Sequence, residues 1–182
     1  MVEEHNPFAP IPRLAVSSSR EEWAGVARKL FHKQQFFEAE LAFDRAGLAK
    51  ERRVAHAYYL RDLAHTTSPS GVRTDSRPSP RYVRAADAFL QSAQEASDVD
   101  DQQSYYRIAG DCYAKGRQDR AAAEAFYAAR DYNNAAKHYR AAGMFDDALN
   151  VVKDHQRDVE RSVADGIVAV AKLQFLRENE VQ

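Results

Sequence analysis

The chain has 182 residues, 45% of them hydrophobic, enough for one globular domain or a short repeat array with a sizeable apolar core. Its formal net charge of −1 supplies no global field to draw it to nucleic acid or an anionic membrane, and its single Cys112 excludes an internal disulfide and a multi-cysteine zinc site. With only 7 Gly and 6 Pro among abundant Ala, Glu, Arg, Gln and Leu, the composition predicts an all-α fold.

Residues 1–17 are Pro-rich without helical periodicity and read as an extended lead-in, docked through Phe8, Ile11 and Leu14. They lack the basic stretch and apolar core of a signal peptide, and no run approaches the roughly 18 apolar residues of a spanning helix. The expected setting is soluble and intracellular, cytoplasmic or nuclear. Structure is expected from Ser19, where Ser19 and Glu22 have the spacing of a capping box. Trp23, Val26, Ala27 and Leu30 then follow, and after a turn Ala39, Phe43 and Ala46. Small residues at Ala27, Ala39 and Ala46 let two helices approach, while Trp23, Leu30 and Phe43 fill the space around them.

Glu51 to Ala64 and Tyr82 to Ala93 predict a second, degenerate hairpin whose first helix is apolar nearly all round, as for a helix covered on two sides. The segment 65–80 between its halves is rich in Ser, Thr, Pro and Arg and reads as a disordered loop. The first pattern returns at Tyr106, Ala109, Gly110 and Tyr113, with Ala122, Phe126 and Ala129 beyond a turn at Gly116, and its entry is placed at Asp100 with Gln103 as the cap. Next, Asp119, Tyr132 and Phe145 recur at a spacing of 13, as do Ala122, Ala135 and Ala148, predicting clipped helices of about ten residues, with Gly143 as a C-cap. A longer helix from about Gln156 to Glu178 carries Val159, Val163, Ile167, Val170, Leu173 and Leu176. It looks like half a hairpin, so a cap or a piece of a larger protein is expected there.

The order Trp23, Val26, Ala27, Leu30 and Ala39, Phe43, Ala46 resembles the tetratricopeptide signature W-x2-L-G-x2-Y followed by A-x3-F, with Val, Ala and Leu in place of Leu, Gly and Tyr. Tyr106, Ala109, Gly110 and Tyr113 match it with the Gly and Tyr present. The likeness spans residues 19–155. It implies a right-handed α-solenoid of antiparallel helix hairpins, about nine helices over residues 18–182. More narrowly, residues 23–48, the following AHAYYLRDLA and the later YAARDYNNAAKHYRAAGMFDDAL are similar to the helical region of large fungal UvrD-like helicases and of tetratricopeptide-and-ankyrin-repeat proteins. That likeness implies a larger parent with an ATPase core elsewhere, whereas this stretch contains no G-x-x-x-x-G-K-[ST].

The family resemblance implies an inner groove for a protein or peptide partner, lined by Ala24, Arg28, Phe31 and His32 in the first hairpin and by Arg107, Asp111, Ala114 and Lys115 in the third. The competing reading is a solvated charged face. Chaperone-binding members grip a carboxylate with Lys and Asn, and Ala24 with Arg28 departs from that pattern. Arg73, Arg77, Arg81 and Arg84 form a basic run as candidate phosphate contacts, with Ser68-Pro69 and Ser79-Pro80 as candidate phosphorylation sites beside it. The six His are scattered without paired ligand spacing, Cys112 has no local His partner, and Asp98, Asp100 and Asp101 read as helix-capping residues. No metal, cofactor or catalytic group is expected. The functional expectation is a non-catalytic interaction scaffold, with an accessory role in nucleic-acid engagement by a linked helicase as the alternative.

Overall fold

Ala-rich segments broken at short intervals by single turns make helices, and the computed structural model describes residues 19–66 and 79–180 as such. Among the described residues there are nine: α1 Arg20–His32, α2 Phe36–Ala46, α3 Ala49–Thr66, α4 Pro80–Glu95, α5 Val99–Lys115, α6 Asp119–Ala128, α7 Tyr132–Ala141, α8 Phe145–Asp154 and α9 Arg161–Glu180. The all-α expectation holds for them. The contact pattern divides the chain within α3, between His56 and Ala57, into two units.

In the first unit Ser19 caps α1 as the capping box predicts. Its hydroxyl accepts from the Glu22 amide at 3.2 Å, and the Glu22 carboxylate accepts from the Ser19 amide at 2.8 Å. Trp23, Ala27 and Leu30 pack with Ala39, Ala42, Phe43 and Ala46, and Ala55 of α3 closes the cluster. Val26 is only half-buried at its edge. Each large apolar side chain buried here is worth about 1.5–3 kcal/mol, so Trp23, Leu30 and Phe43 hold the hairpin shut.

In the second unit α4 packs on α5, and each later helix packs on the one before it, with α9 also reaching α7. Helices α6, α7 and α8 begin at Asp119, Tyr132 and Phe145 and run ten residues each, the 13-residue step expected from sequence. Ala122, Ala135 and Ala148, the small residues of that step, are all 0% exposed. Gly110 and Phe126 meet closely. A Cβ on Gly110 would stand 2.9 Å from the Phe126 ring, so α5 and α6 approach as closely as a glycine permits.

One turn design recurs. After α1, α5, α6 and α7 the chain turns in three residues, and the middle one is left-handed: Gln34, Arg117, Arg130 and Gly143. Each turn makes the same two bonds, as at Gln34 N–H to Phe31 C=O (2.9 Å) and Gln35 N–H to Leu30 C=O (3.0 Å), which satisfy the last helical carbonyls in a Schellman motif.

Several expected boundaries move. Asp98, and not Asp100, caps α5: its carboxylate accepts from the amides of Asp100 (2.9 Å) and Asp101 (3.0 Å), which leaves Asp100 and Gln103 inside the helix. Ala142 is the C-cap of α7, and Gly143 is the left-handed residue after it. The expected 65–80 loop is shorter at both ends, since His65 and Thr66 finish α3 while Ser79 stands at the N-cap position of α4, without a side-chain capping bond, and Pro80 starts the helix, where its missing N–H costs nothing. The rest of that loop, the lead-in 1–17 and Ser68-Pro69 lie outside the described residues. Helix α9 starts at Arg161 and not near Gln156, because Asn133 clamps the preceding turn. Its side chain donates to the Glu160 carboxylate and accepts from the Glu160 amide, both at 3.0 Å.

Candidate functional site

Helix α5 has two unlike sides. Ala109, Gly110, Cys112 and Tyr113 are buried, which leaves Arg107, Asp111 and Lys115, at four-residue steps, in one exposed row. Arg107 lines a polar cleft of about 360 Å³ with Asp100, Gln103 and Ser104 of α5 and with Ala129, Arg130 and Asp131 of the turn into α7. Arg130 is held there by its left-handed backbone at φ 58. Asp131 is committed to capping α7, accepting from the Asn134 amide (3.2 Å) and side-chain amide (2.8 Å).

The electrostatics of the row are mixed in sign. Partial burial of the Asp111 carboxyl raises its pKa, opposed by the neighbouring Lys115 and Arg107 cations and reinforced by Asp131. The Lys115 ammonium stands 5.8 Å from the Tyr82 ring centre, and the Tyr82 hydroxyl meets His65 Nδ1 at 3.0 Å. Burial lowers the His65 pKa, and the Lys115 and Arg61 cations lower it further. Lys115, with Arg61 close by, therefore forms a cationic end to the row beside a His65 ring held toward its neutral form. Such a surface offers charge-assisted hydrogen bonds of both senses to a polar main chain or side chain.

The other sequence candidates are placed as follows. Arg28 and His32 are exposed on α1. Phe31 is not a groove residue: it is half-buried, packed against the core, its ring edge-on to Phe36 at 5.2 Å and Phe43 at 6.3 Å. Ala24 is likewise a core residue of the first unit, and Ala114 packs against the core of the second. Arg81 and Arg84 are exposed near the start of α4, whereas Arg73 and Arg77 lie outside the described residues. Of the tetratricopeptide-like positions in the second unit, Gly110, Tyr113, Ala122 and Phe126 are buried, but Tyr106 is half-buried and Ala129 is the C-cap of α6 and only partly covered.

Comparison with protein-family models, curated proteins and solved structures finds no match to this chain. Its chemistry is read from its own residues. Among the described residues no group of three or more His, Cys, Asp or Glu is placed to hold a metal ion, and no helix is long and apolar enough to cross a membrane. Several of the described histidines have partners: His56 Nδ1 meets Glu40 at 2.9 Å, and His138 Nδ1 meets Asp119 at 2.9 Å while stacking on Phe126. His155 lies flat on Tyr132, ring centres 3.4 Å apart. Burial pushes the Cys112 thiol up to about 11, so at neutral pH it is a packed, protonated group. Sequence reasoning missed the bond from the Tyr113 hydroxyl to Asp87 at 2.6 Å, which ties α5 to α4; a Tyr at this position is explained by packing alone and carries no signal of its acceptor.

Proposed function

We propose that this chain is a tetratricopeptide-like, right-handed α-solenoid that works without catalysis, binding an extended peptide or a helix of another protein along the α5 row. The observation that carries the reading is the cleft at Arg107, continued along α5 by Asp111 and Lys115, on a helix whose other side is packed into the core through Ala109, Cys112 and Tyr113. A rigid helix face with free polar heads loses little entropy on binding, which suits recognition of short polar segments.

The test is selection of peptides from a displayed library on the intact chain, followed by amide-shift mapping. Selected peptides should shift α5 and the α6–α7 turn, and R107E with K115E should weaken them at least about tenfold, or ~1.4 kcal/mol, without changing the thermal midpoint. Binding indifferent to both charge reversals would remove the proposal. Salt-sensitive binding of single-stranded DNA or RNA that depends on Arg81 and Arg84 would favour the helicase-associated role in its place.

A further inference from the structure

Helices α6, α7 and α8 enclose a small cavity of about 150 Å³ that no residue of the α5 row lines. Tyr127 comes from α6, Tyr139 from α7, and Asp147, Asn150, Val151 and Asp154 from α8. The α8 residues recur at three- and four-residue steps, so they form one stripe of the helix. Val151 is buried as its floor, and the other three are exposed. At 1.5 Å per residue the two carboxylates start from backbone positions about 10 Å apart.

The aromatic walls are held in place. Tyr127, 44% exposed, stands edge-on to Tyr132 at 5.5 Å and to His155 at 5.9 Å, and those two rings lie flat on each other. Tyr139 packs against the core clusters on both sides of α7. The polar groups are unspent: among the described residues the side chains of Tyr127, Tyr139, Asp147, Asn150 and Asp154 make no hydrogen bond or ion pair. No lysine or arginine lines the cavity, and Arg120, a cation within the field of Asp147, donates to Glu124 at 3.0 Å. The field is negative at the tyrosines, since burial and then Glu124, Asp147 and Tyr127 all raise the Tyr139 pKa, against Arg120 alone. Asp147 stands in the first turn of α8, where the helix dipole favours a carboxylate, but Asp154 is the last residue of that helix, where the dipole opposes one. Helix stability therefore explains Asp147 and not Asp154.

Aromatic walls, carboxylates and an amide with no cation among them are complementary to an organic cation. The acceptors are spread along two turns of helix. A compact, strongly hydrated ammonium would reach one of them, whereas a planar guanidinium stacks on a tyrosine and presents five donors around its edge. We propose that the α6–α8 cavity binds the guanidinium group of an arginine side chain, stacked against its tyrosines and bonded to the Asp147 and Asp154 carboxylates.

The probe is a blocked pentapeptide with one central arginine among glycines, added to the isotopically labelled full chain. It is expected to shift the amides of Tyr127, Tyr139 and 147–154 with a Kd of about 1 mM. The lysine peptide should bind about two- to fivefold more weakly, and the neutral citrulline peptide at least about fivefold more weakly. D147N and D154N should each weaken the arginine peptide about two- to fivefold, and D154N should at the same time raise the thermal midpoint, which a merely structural carboxylate would not do. Y127L should weaken it to a similar degree; D147N and D154N, at exposed positions, keep the test valid should Y127L fail to fold. Sedimentation of the chain alone reads the source of the arginine. Monomers that take up the peptide leave it to another molecule, whereas dimers dispersed by D147N with D154N supply it from a second copy. The proposal falls if these amides do not move by about 10 mM peptide, if lysine or citrulline binds as well as arginine, or if D154N leaves binding unchanged.

Discussion

Gly110→Ala probes the α5–α6 seam most directly. The added Cβ would stand 2.9 Å from two ring carbons of Phe126 and 3.0 Å from a third. The ring has nowhere to swing, because Phe126 is 2% exposed and stacks on His138 at 5.4 Å, which Asp119 in turn holds at 2.9 Å. In an open helix the substitution would gain about 1 kcal/mol. Overpacking a close-packed core costs about 1–3 kcal/mol, and contact with three ring atoms at once puts this case at the upper end. The expected net loss is about 1–2 kcal/mol. Phe126→Leu supplies the control, since a leucine can turn from the seam; in that background Gly110→Ala should be neutral or stabilise by up to about 1 kcal/mol. The four proteins form a double-mutant cycle, read by urea unfolding with far-UV circular dichroism, with a coupling of about 2 kcal/mol expected. A Gly110→Ala chain more stable than the parent, or an additive cycle, would refute the close approach as the reason for glycine.

The left-handed turn residues make a second set: Arg117→Gly and Arg130→Gly should each stabilise by about 0.5–1 kcal/mol, and Gly143→Ala should cost about 1 kcal/mol, all by thermal midpoint. Cys112, raised from 9.0 to about 11, should react at pH 8 with a disulfide reagent about a hundredfold more slowly than a free thiol, and at the free rate once unfolded; fast native labelling would contradict its burial. For Tyr113, burial and then the Asp87 hydrogen bond raise the folded pKa above its ordinary value of 10.0, so the neutral hydroxyl's contribution is full below pH 10 and is lost as pH rises beyond it. Tyr113→Phe should lower stability by about 1 kcal/mol at pH 7 and flatten the alkaline loss, as pH-dependent urea midpoints would report.

Much of the helix order was legible because the turns are short. Three residues between ten-residue helices force a fixed step, so small residues recur at Ala122, Ala135 and Ala148 and reveal it. Ser19 and Glu22 were legible as a cap since both partners are local. Asp98 was not distinguishable from Asp100 and Asp101, because three carboxylates within four residues are equivalent until the backbone selects one. Nor were the turns at Gln34, Arg117 and Arg130. Glycine announces a left-handed residue, as at Gly47 and Gly143, but here the conformation is imposed by helices packed on both sides and the side chain is tolerated.

The same limit explains the surfaces. The α5 row was legible through the family resemblance, whose packed positions Ala109, Gly110 and Tyr113 leave Arg107, Asp111 and Lys115 outside. Phe31 was misplaced because helical spacing gives its direction but not the Phe36 and Phe43 rings waiting across the turn. Leu173 and Leu176 fail in the opposite sense. Their periodicity continues that of Val163 and Ile167 without interruption, yet the first pair is exposed and the second buried. Apolar spacing identifies a face that water should leave; it cannot say whether a helix of the same chain stands opposite. The buried seams and the apolar cleft beside α9 share one composition here, down to the small residue at Ala171 that matches Ala122 and Ala148.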